Sequence, residues 1–432
     1  MFERISIRNV VIFWGIFAFA ISTTAYGAGF DNFLVGIRGA TMGAAYHGIA
    51  DDASAVYYNP GGLALIDKGK LHAEAYSNFF FTKFKYSATT PVGTTDAESD
   101  EIPIIPGGFF SYSFDRLALG FGVYVPYGGG GTVYKNFFPA TGDSLESSAG
   151  MLALSPSISV EIVEKYLSVG ITPTIYIGML ENKLNPMDDP TGTTRVTTEN
   201  TGYAGIGAAL GIMSQLTPKL KIGFMMRTPV KAKIDGTMTT SNPLMPQDME
   251  RDATMEFTIP MDLTLGIGLN PIKPLTIGFS TVVLFHNMMD EMATKTTMPN
   301  PVTGEEMDVT SKQKTHYRTN VRVALGLEYM FVKQFGLRGG LQFIQSATKW
   351  QGLVPVSNDV NQLVSSLGVT WKMVDFLELD VTGMRVTGFE RERETRMPVP
   401  GGGGVTIPLK ETFDSDHWVL LAGLRFNMDF AK

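Results

Sequence analysis

The connections between the apolar segments alternate strictly between tight and long, and this pattern constrains the fold more than any single motif. The tight turns are Asp115-Arg116, Val163–Lys165, Thr217–Lys219, Asn270–Pro274, Val332–Gln334 and Val374-Asp375. The long connections, rich in glycine, proline and polar residues, are 89–103, 128–148, 184–201, 239–251, 291–310, 351–360 and 387–414. Short turns on one side and long loops on the other are typical of transmembrane β-barrels, and the pattern predicts about fourteen strands with both chain ends in the periplasm.

The segments between these connections alternate with a period of two residues. From Leu117 to Val125, apolar side chains at odd positions alternate with alanine, glycine and tyrosine at even positions. One face therefore suits lipid and the other suits a lumen. The final segment, 420–430, alternates in the same way and ends on Phe430, which favours a closing strand. We predict an all-β protein whose residues 70–432 form an antiparallel transmembrane barrel, because an even strand number closes a sheet without an edge.

The N-terminus has the organisation of a secretory signal peptide. Arg4 and Arg8 precede an apolar stretch from Val10 to Ile21, and the small-residue site Ala25–Gly27 follows. The apolar stretch is too short for a transmembrane helix, which needs about 20 residues. We therefore predict that residues 1–27 are removed on export. The chain has no cysteine and a formal net charge of −7. It cannot form disulfides, and its charge argues against a nucleic-acid partner.

Residues 28–69 differ in composition from everything that follows. They are rich in glycine and alanine and read as short helices, with Asp51 or Asp52 able to cap the second helix. About 40 residues of this kind cannot bury a core of their own. We predict that this segment plugs the barrel lumen, with Asn59 and Pro60 at the barrel wall.

The same segment carries a family resemblance. Ala28–Phe30, Ala50–Ala53 and Tyr58–Pro60 resemble the FadL-type outer-membrane transporters of long-chain fatty acids and aromatic hydrocarbons. In that family an Asn-Pro-Ala element ends a hatch inside a fourteen-stranded barrel, whereas Gly61 takes the alanine position here. The likeness continues through the strand pattern to Phe430. The resemblance implies passive uptake: extracellular loops catch a hydrophobic ligand, which enters a pocket above the hatch and leaves sideways at a kink in the third strand.

Three arginines are expected to face the lumen and to meet an anionic ligand head group. Arg227 is the first choice, because it lies near the top of a strand that Pro229 interrupts, and Arg322 and Arg338 follow it. The alternative is that these arginines pair with carboxylates of the barrel or the plug, because an unpaired buried charge is costly.

Pro126, Tyr127 and Gly128 mark the expected lateral exit. Proline donates no hydrogen bond to a neighbouring strand, and the glycine run 128–131 adopts backbone conformations that other residues avoid. A break at membrane depth leaves backbone groups unsatisfied unless it lines a cavity. The alternative is that Pro126 marks only the point where the strand leaves the membrane.

Motifs for catalysis or cofactor binding are not found. The five histidines lack metal-ligand spacing, and the sequence contains no HExxH, GxSxG or P-loop element. We expect no catalytic residue, metal or cofactor. The alternatives that stay open are a general porin, an adhesin or structural barrel, and an outer-membrane lipid hydrolase. The expected partners are a fatty acid or hydrocarbon, outer-membrane lipid and lipopolysaccharide, and the barrel-assembly machinery.

Overall fold

A computed structural model describes residues 31–138, 143–184, 194–242, 247–299, 305–356, 358–398 and 406–429. The predicted signal peptide, residues 1–27, lies outside the described residues, as do the three residues after it. The strand segments within the described ranges are β1 (Lys70–Phe81), β2 (Phe84–Thr90), β3 (Gly93–Ser99), β4 (Ile104–Ser113), β5 (Leu117–Phe138), β6 (Asp143–Val163), β7 (Leu167–Leu184), β8 (Arg195–Thr217), β9 (Leu220–Arg227), β10 (Val230–Ser241), β11 (Met249–Ile259), β12 (Asp262–Ile272), β13 (Leu275–Leu284), β14 (Glu291–Pro299), β15 (Glu306–Lys314), β16 (Asn320–Met330), β17 (Phe335–Ile344), β18 (Asn361–Val374), β19 (Leu377–Phe389), β20 (Arg391–Pro398) and β21 (Thr406–Asp429).

These segments form one closed sheet. Several are successive parts of a single strand, so the described residues build a barrel of 14 antiparallel strands. The barrel closes where β1 pairs with β21, from Lys70 opposite Asp429 to Phe81 opposite Trp418. The predicted fold class and closing strand are therefore confirmed.

Within the described part of the chain, helix is confined to short pieces. Helix α1 spans Ile37–Thr41 and α2 spans Ala55–Tyr58, and a 3-10 helix covers Pro60–Leu65. Two further 3-10 turns cover His286–Met288 and Trp350–Gly352. Among the described residues, no helix is long and apolar enough to cross a membrane.

The two faces of the strands are those that the alternation predicted. Leu119 and Leu325 are 45% and 46% exposed, whereas their neighbours Ala118 and Ala324 are buried. The charged residues that the sequence assigned to the lumen are buried or half-buried within the barrel: Lys221, Arg227, Arg322, Glu328, Arg338, Glu378, Asp380 and Arg425. All six predicted tight turns lie between successive strands.

Several connections that the sequence predicted as loops are strands instead. Segments 89–103, 291–310 and 387–414 contain hairpins built by β2 with β3, β14 with β15, and β20 with β21. Threonine is frequent in these segments, and its branched side chain suits an extended backbone even where the face is polar. The described residues of segment 351–360 contain no strand of the barrel, and Leu353 and Val360 pack with Phe84 and Phe413 in a second hydrophobic cluster.

Candidate functional site

Residues 31–66, hereafter the N-terminal segment, are enclosed by the barrel, and nearly every side chain in the segment is buried. The segment approaches the wall backbone to backbone at lumen-facing glycines. A Cβ atom at Gly278 would collide with the Ala45 carbonyl, and one at Gly340 would collide with the Gly43 amide. The sequence signal for this contact is glycine at inward positions of the period-two pattern, and our sequence interpretation did not use it.

Asn59 anchors the end of α2 to the wall. Its Nδ2 donates to the Ile212 carbonyl at 3.0 Å and to the His47 carbonyl at 3.2 Å, while its Oδ1 accepts from the Gly61 amide at 3.0 Å. Pro60 lies beside this anchor, close to Gly211 of β8. One amide side chain therefore joins two parts of the N-terminal segment to a barrel strand.

A chain of ion pairs fixes the side of the N-terminal segment that lies toward the tight turns. Arg38 donates Nε and Nη2 to the two oxygens of Glu328 at 2.8 and 2.7 Å, a bidentate pair, and it also contacts Asp51. Burial alone would raise the pKa of Asp51, but the charges of Arg38 and Lys221 outweigh it and lower this pKa to about 2. The ion pairs run through Lys221, Asp51, Arg38, Glu328, Arg338, Asp380, Arg425 and Glu378.

The expected helix cap is not formed by either aspartate. Asp51 is drawn to Arg38, and Asp52 Oδ1 accepts from the amide and hydroxyl of Ser54 at 3.0 and 2.6 Å. Ser54 itself occupies the N-cap of α2 without a side-chain hydrogen bond to the helix. The expectation was wrong because a buried arginine holds one carboxylate and a local turn uses the other.

Arg227 lies above this network. Its Nη1 donates to Asp262 Oδ2 at 2.9 Å, and its Nη2 donates to the Tyr57 carbonyl at 2.6 Å. The guanidinium carbon also lies 4.3 Å from the centre of the Tyr57 ring. Arg227 therefore has a carboxylate, a carbonyl and an aromatic face as partners.

Arg322 has weaker partners than the other lumen arginines. Its Nη2 lies 3.4 Å from Asp31 Oδ2, and its buried Nε has no hydrogen-bond partner among the described residues. His286 Nε2 lies 3.6 Å from the same Asp31 oxygen. Burial raises the pKa of Asp31, although Arg322 and His286 act in the opposite direction. The neighbouring groups therefore compensate the buried negative charge of Asp31 only in part.

The barrel wall is irregular where the lateral exit was expected. Pairing between β4 and β5 ends at Gly108 opposite Val123, and the β5–β6 register shifts between Tyr124 and Tyr127 and again at Gly128. Since β5 continues to Phe138, Pro126 does not mark the end of the strand.

The start of the N-terminal segment covers this irregularity from inside. Asn32 donates its backbone amide to the Pro126 carbonyl and its side-chain amide to the Val125 carbonyl, both at 2.8 Å. Asp31 forms an isolated antiparallel bridge with Tyr127. Carbonyl groups released by the bulge thereby find partners without a neighbouring strand.

A cavity of about 670 Å³ lies at the same place. Its lining includes side chains from both faces of the sheet: Ile105 and Met151 are buried, whereas Ile104 and Met179 are exposed. Glu181 and Glu199 are the charged residues of the lining, Ser148 and Thr201 are polar, and the other lining residues are apolar or glycine. The cavity is therefore lined by residues from both faces of the sheet.

Comparisons with known proteins assign the chain to a family. The family model described as outer membrane protein transport protein (OMPP1/FadL/TodX) matches residues 18–430. The chain belongs to this family. Outer membrane protein P1 of Haemophilus influenzae is 22% identical, over 96% of this chain and 98% of that protein.

Solved structures of this FadL/TodX family share the fold. A Pseudomonas aeruginosa FadL homologue superposes with a TM-score of 0.76 at 18% identity, covering 93% of this chain and all of that one. The toluene transporter TodX of P. putida superposes with a TM-score of 0.69 at 16% identity, covering 91% of this chain and 98% of that one. The toluene transporter TbuX of Ralstonia pickettii superposes with a TM-score of 0.66 at 19% identity, covering 90% of this chain and 98% of that one. Family and fold are those of outer-membrane transporters of hydrophobic compounds.

The sequence-predicted residues of this family member fall into two groups. Arg338 lies in the ion-pair chain below the N-terminal segment, with Glu328 and Asp380. Arg227 and Arg322 lie above it, near Asp31 and the irregular part of β5. The sequence reasoning missed Asp31, Asp262 and His286, which only the fold brings to the two upper arginines. Among the described residues, no three His, Asp or Glu side chains are grouped as metal ligands.

Proposed function

We propose that this protein carries small hydrophobic molecules passively into the outer membrane and releases them sideways at Pro126–Gly128. The observation that carries the proposal is the cavity beside β4, β5 and β6, where the pairing of β4 with β5 stops and the lining is mostly apolar. A gap of this kind lets an apolar molecule pass from the lumen to lipid without crossing water.

In this proposal the N-terminal segment acts as a hatch that closes the direct route to the periplasm. Its contacts reach strands on all sides of the lumen, from Met213 and Ile267 to Gly340 and Gly423. This packing argues against a general porin, which requires an open polar lumen. Residues 28–69 are proposed as the hatch and residues 70–432 as the barrel.

The cargo is proposed to be a long-chain fatty acid or a related hydrocarbon. TodX and TbuX are named as toluene transporters, which supports an apolar cargo without fixing its head group. For an acidic cargo, Arg227 and Arg322 are the proposed contacts because both lie near Asp31, which bridges to Tyr127 of β5. Arg338 is proposed as a weaker candidate.

Membership of an outer-membrane protein family supports a proposal on the cellular setting. We propose that residues 1–27 direct export, that the barrel-assembly machinery inserts the chain, and that lipid and lipopolysaccharide surround it in the outer membrane. Transport by this route needs no catalytic residue, so we propose that the protein is not an enzyme.

Filling the wall cavity tests the exit. Gly128 and Gly129 have φ angles of 63° and 104°, so side chains there would strain the backbone. Gly150 is better suited, because a Cβ placed on it has Gly129 backbone atoms as its nearest neighbours, at 3.6 and 3.7 Å. We expect Gly150→Phe to abolish uptake of radiolabelled 1-hexadecanol by cells while the purified barrel still folds and binds it.

Gly383→Phe is the matched control, because a Cβ at this exposed glycine of β19 meets nothing within 4 Å. This variant should transport normally. Normal uptake by Gly150→Phe, with the phenylalanine confirmed in the folded barrel, would contradict an exit at Pro126–Gly128.

A further inference from the structure

The connection between β17 and β18 folds into the barrel at the end opposite the tight turns. We call the described residues of 346–360 the mouth segment. Most of its side chains are buried: Ser346, Ala347, Thr348, Leu353, Val356, Asn358, Asp359 and Val360. Its start is bonded to the preceding connection, where Thr348 forms an isolated bridge with Tyr317. Side chains of the wall bind the rest of the segment.

The mouth segment reaches strands of the wall that are not its neighbours. Tyr134 of β5 donates its hydroxyl to the Pro355 carbonyl at 3.2 Å. Leu145 of β6 belongs to the same hydrophobic cluster as Leu353 and Val356. In the barrel wall, β19, β21, β1 and β4 lie between β18 and β5. The segment therefore extends inside the mouth of the barrel, away from the two strands that it connects.

The contacts of the mouth segment form a second apolar layer in the barrel. The buried residues of this layer are Phe84, Tyr86, Tyr134, Leu145, Leu353, Val356, Val360 and Phe413. None of them belongs to the larger cluster that contains the N-terminal segment. An apolar molecule that enters along these strands therefore meets this layer before it meets the N-terminal segment.

Arg391 of β20 binds both ends of the mouth segment. Its Nη1 donates to Ser346 Oγ at 2.7 Å and to the carbonyls of Thr348 and Asp359 at 3.0 and 2.9 Å. The guanidinium carbon also lies 4.6 Å from the centre of the Trp350 ring. Hydrogen bonds from a charged donor are stronger than those between neutral groups, so this one cation stabilises the folded-in position of the segment.

Arg393 of the same strand binds the middle of the segment. Its Nη1 donates to the Leu353 carbonyl at 2.6 Å, while its Nε donates to the buried Glu411 at 2.7 Å. Removal of Arg393 would therefore leave a buried carboxylate without its cation, which makes Arg391 the cleaner position to substitute. Contacts of both arginines can be released without separating any two strands of the barrel.

We propose that the mouth segment is a lid that opens to admit cargo, and that Arg391 is the latch that holds it closed. The inference rests on the proposed function and adds a controlled step at the entrance. Opening exposes the apolar side chains of the lid and of the wall beneath it, which is costly in water. An apolar cargo covers these surfaces and offsets the cost, whereas a polar solute does not.

Arg391→Met tests the latch, because methionine keeps an unbranched side chain and removes the hydrogen bonds. At equal outer-membrane levels, we expect the initial rate of 1-hexadecanol uptake by cells to rise about tenfold, as the net loss of one charged hydrogen bond implies. Hydrogen exchange of the backbone amides of residues 347–353 should become faster in the purified variant. Arg396→Met is the matched control, because Arg396 lies on the same strand and donates to Thr406 of its own hairpin. It should change neither measurement.

Tyr134→Phe is a second, milder variant that does not depend on the folding of Arg391→Met. It removes only the hydroxyl that binds the Pro355 carbonyl, so both measurements should rise by a smaller factor. Faster exchange without faster uptake would overturn the inference, because a loosened segment would then not limit entry. Faster uptake without faster exchange, slower uptake, or no change in either measurement would overturn it as well.

The same experiment separates the lid from the proposed function. If cells with the unchanged protein took up no more 1-hexadecanol than cells that lack it, the proposed function would fail and the lid with it. If both lid variants responded as expected while Gly150→Phe transported normally, only the proposed exit would fail.

Discussion

At the scale of single residues, the arginines of the lumen differ in the number and length of their contacts with carboxylates. Arg38 contacts three carboxylates and Arg425 contacts two, and Arg227 has both Asp262 and a backbone carbonyl. Among the described residues, Arg322 has one ion-pair contact, with Asp31 at 3.4 Å. Removing one member of a buried pair costs about 3–5 kcal/mol, so Arg227 and the other well-paired arginines stabilise the structure whether or not they also contact a ligand.

Variants of Arg227 test whether a well-paired arginine also contacts the ligand. We expect the double variant Arg227→Met, Asp262→Asn, which removes the charge pair together, to lose any preference for hexadecanoate over 1-hexadecanol while still binding the alcohol. The single variant Asp262→Asn keeps the cation and should retain the preference. Competitive binding of the two probes measures both. Equal weakening for acid and alcohol would show that Arg227 has only a structural role.

The inward direction of these charges was predictable from the sequence, but their partners were not. Period-two alternation assigns Arg338 and Glu328 to the lumen, since side chains alternate strictly between the faces of a strand. Which carboxylate meets which arginine depends on strand register and on Arg38 from a distant part of the chain. Neither quantity can be read from local sequence.

At the scale of elements, the contact between hatch and wall depends on small residues. The Ala45 carbonyl lies so close to Gly278 of β13 that any Cβ there would collide with it. The ion pair of Arg38 with Glu328 and the hydrogen bond from Asn59 to Ile212 also hold the hatch against the wall. Glycine is therefore required for close approach here, and not for an unusual dihedral angle.

Substitution of that glycine should loosen the hatch and leave the barrel intact. We expect Gly278→Val to increase hydrogen exchange of the backbone amides from Met42 to Ala50, with protection of β5 to β8 unchanged. Gly383→Val is the control, because its added side chain has open space on the outer face. Unchanged exchange in Gly278→Val would show that the wall can yield and that close approach is not needed.

The break in β5 shows how far sequence predicts an element. Pro126 and the following glycines predicted irregular pairing, and the register of β5 with β6 does shift there. The position where β4 stops pairing, at Gly108, was not predictable because it depends on how two strands align. The 28–69 boundary of the hatch remains a prediction from composition.

At the scale of the whole molecule, the alternation of turns and loops was sufficient to predict an even, closed barrel of 14 strands. The lengths of the loops were not predictable, because hairpins such as β14 with β15 continue the barrel pairing with polar, threonine-rich sequence. Cargo movement through such a barrel has two possible routes, past the hatch or through the wall.

The absence of cysteine allows one measurement to separate the two routes. Thr41 of the hatch and Thr382 of β19 have their hydroxyl oxygens 2.7 Å apart, so Thr41→Cys with Thr382→Cys can form a disulfide that locks the hatch to the wall. Uptake of 1-hexadecanol is then compared for the oxidised and the reduced variant. Lateral exit predicts equal uptake in both states. Loss of uptake on oxidation, restored by reduction, would contradict exit through the wall and show that cargo passes the hatch.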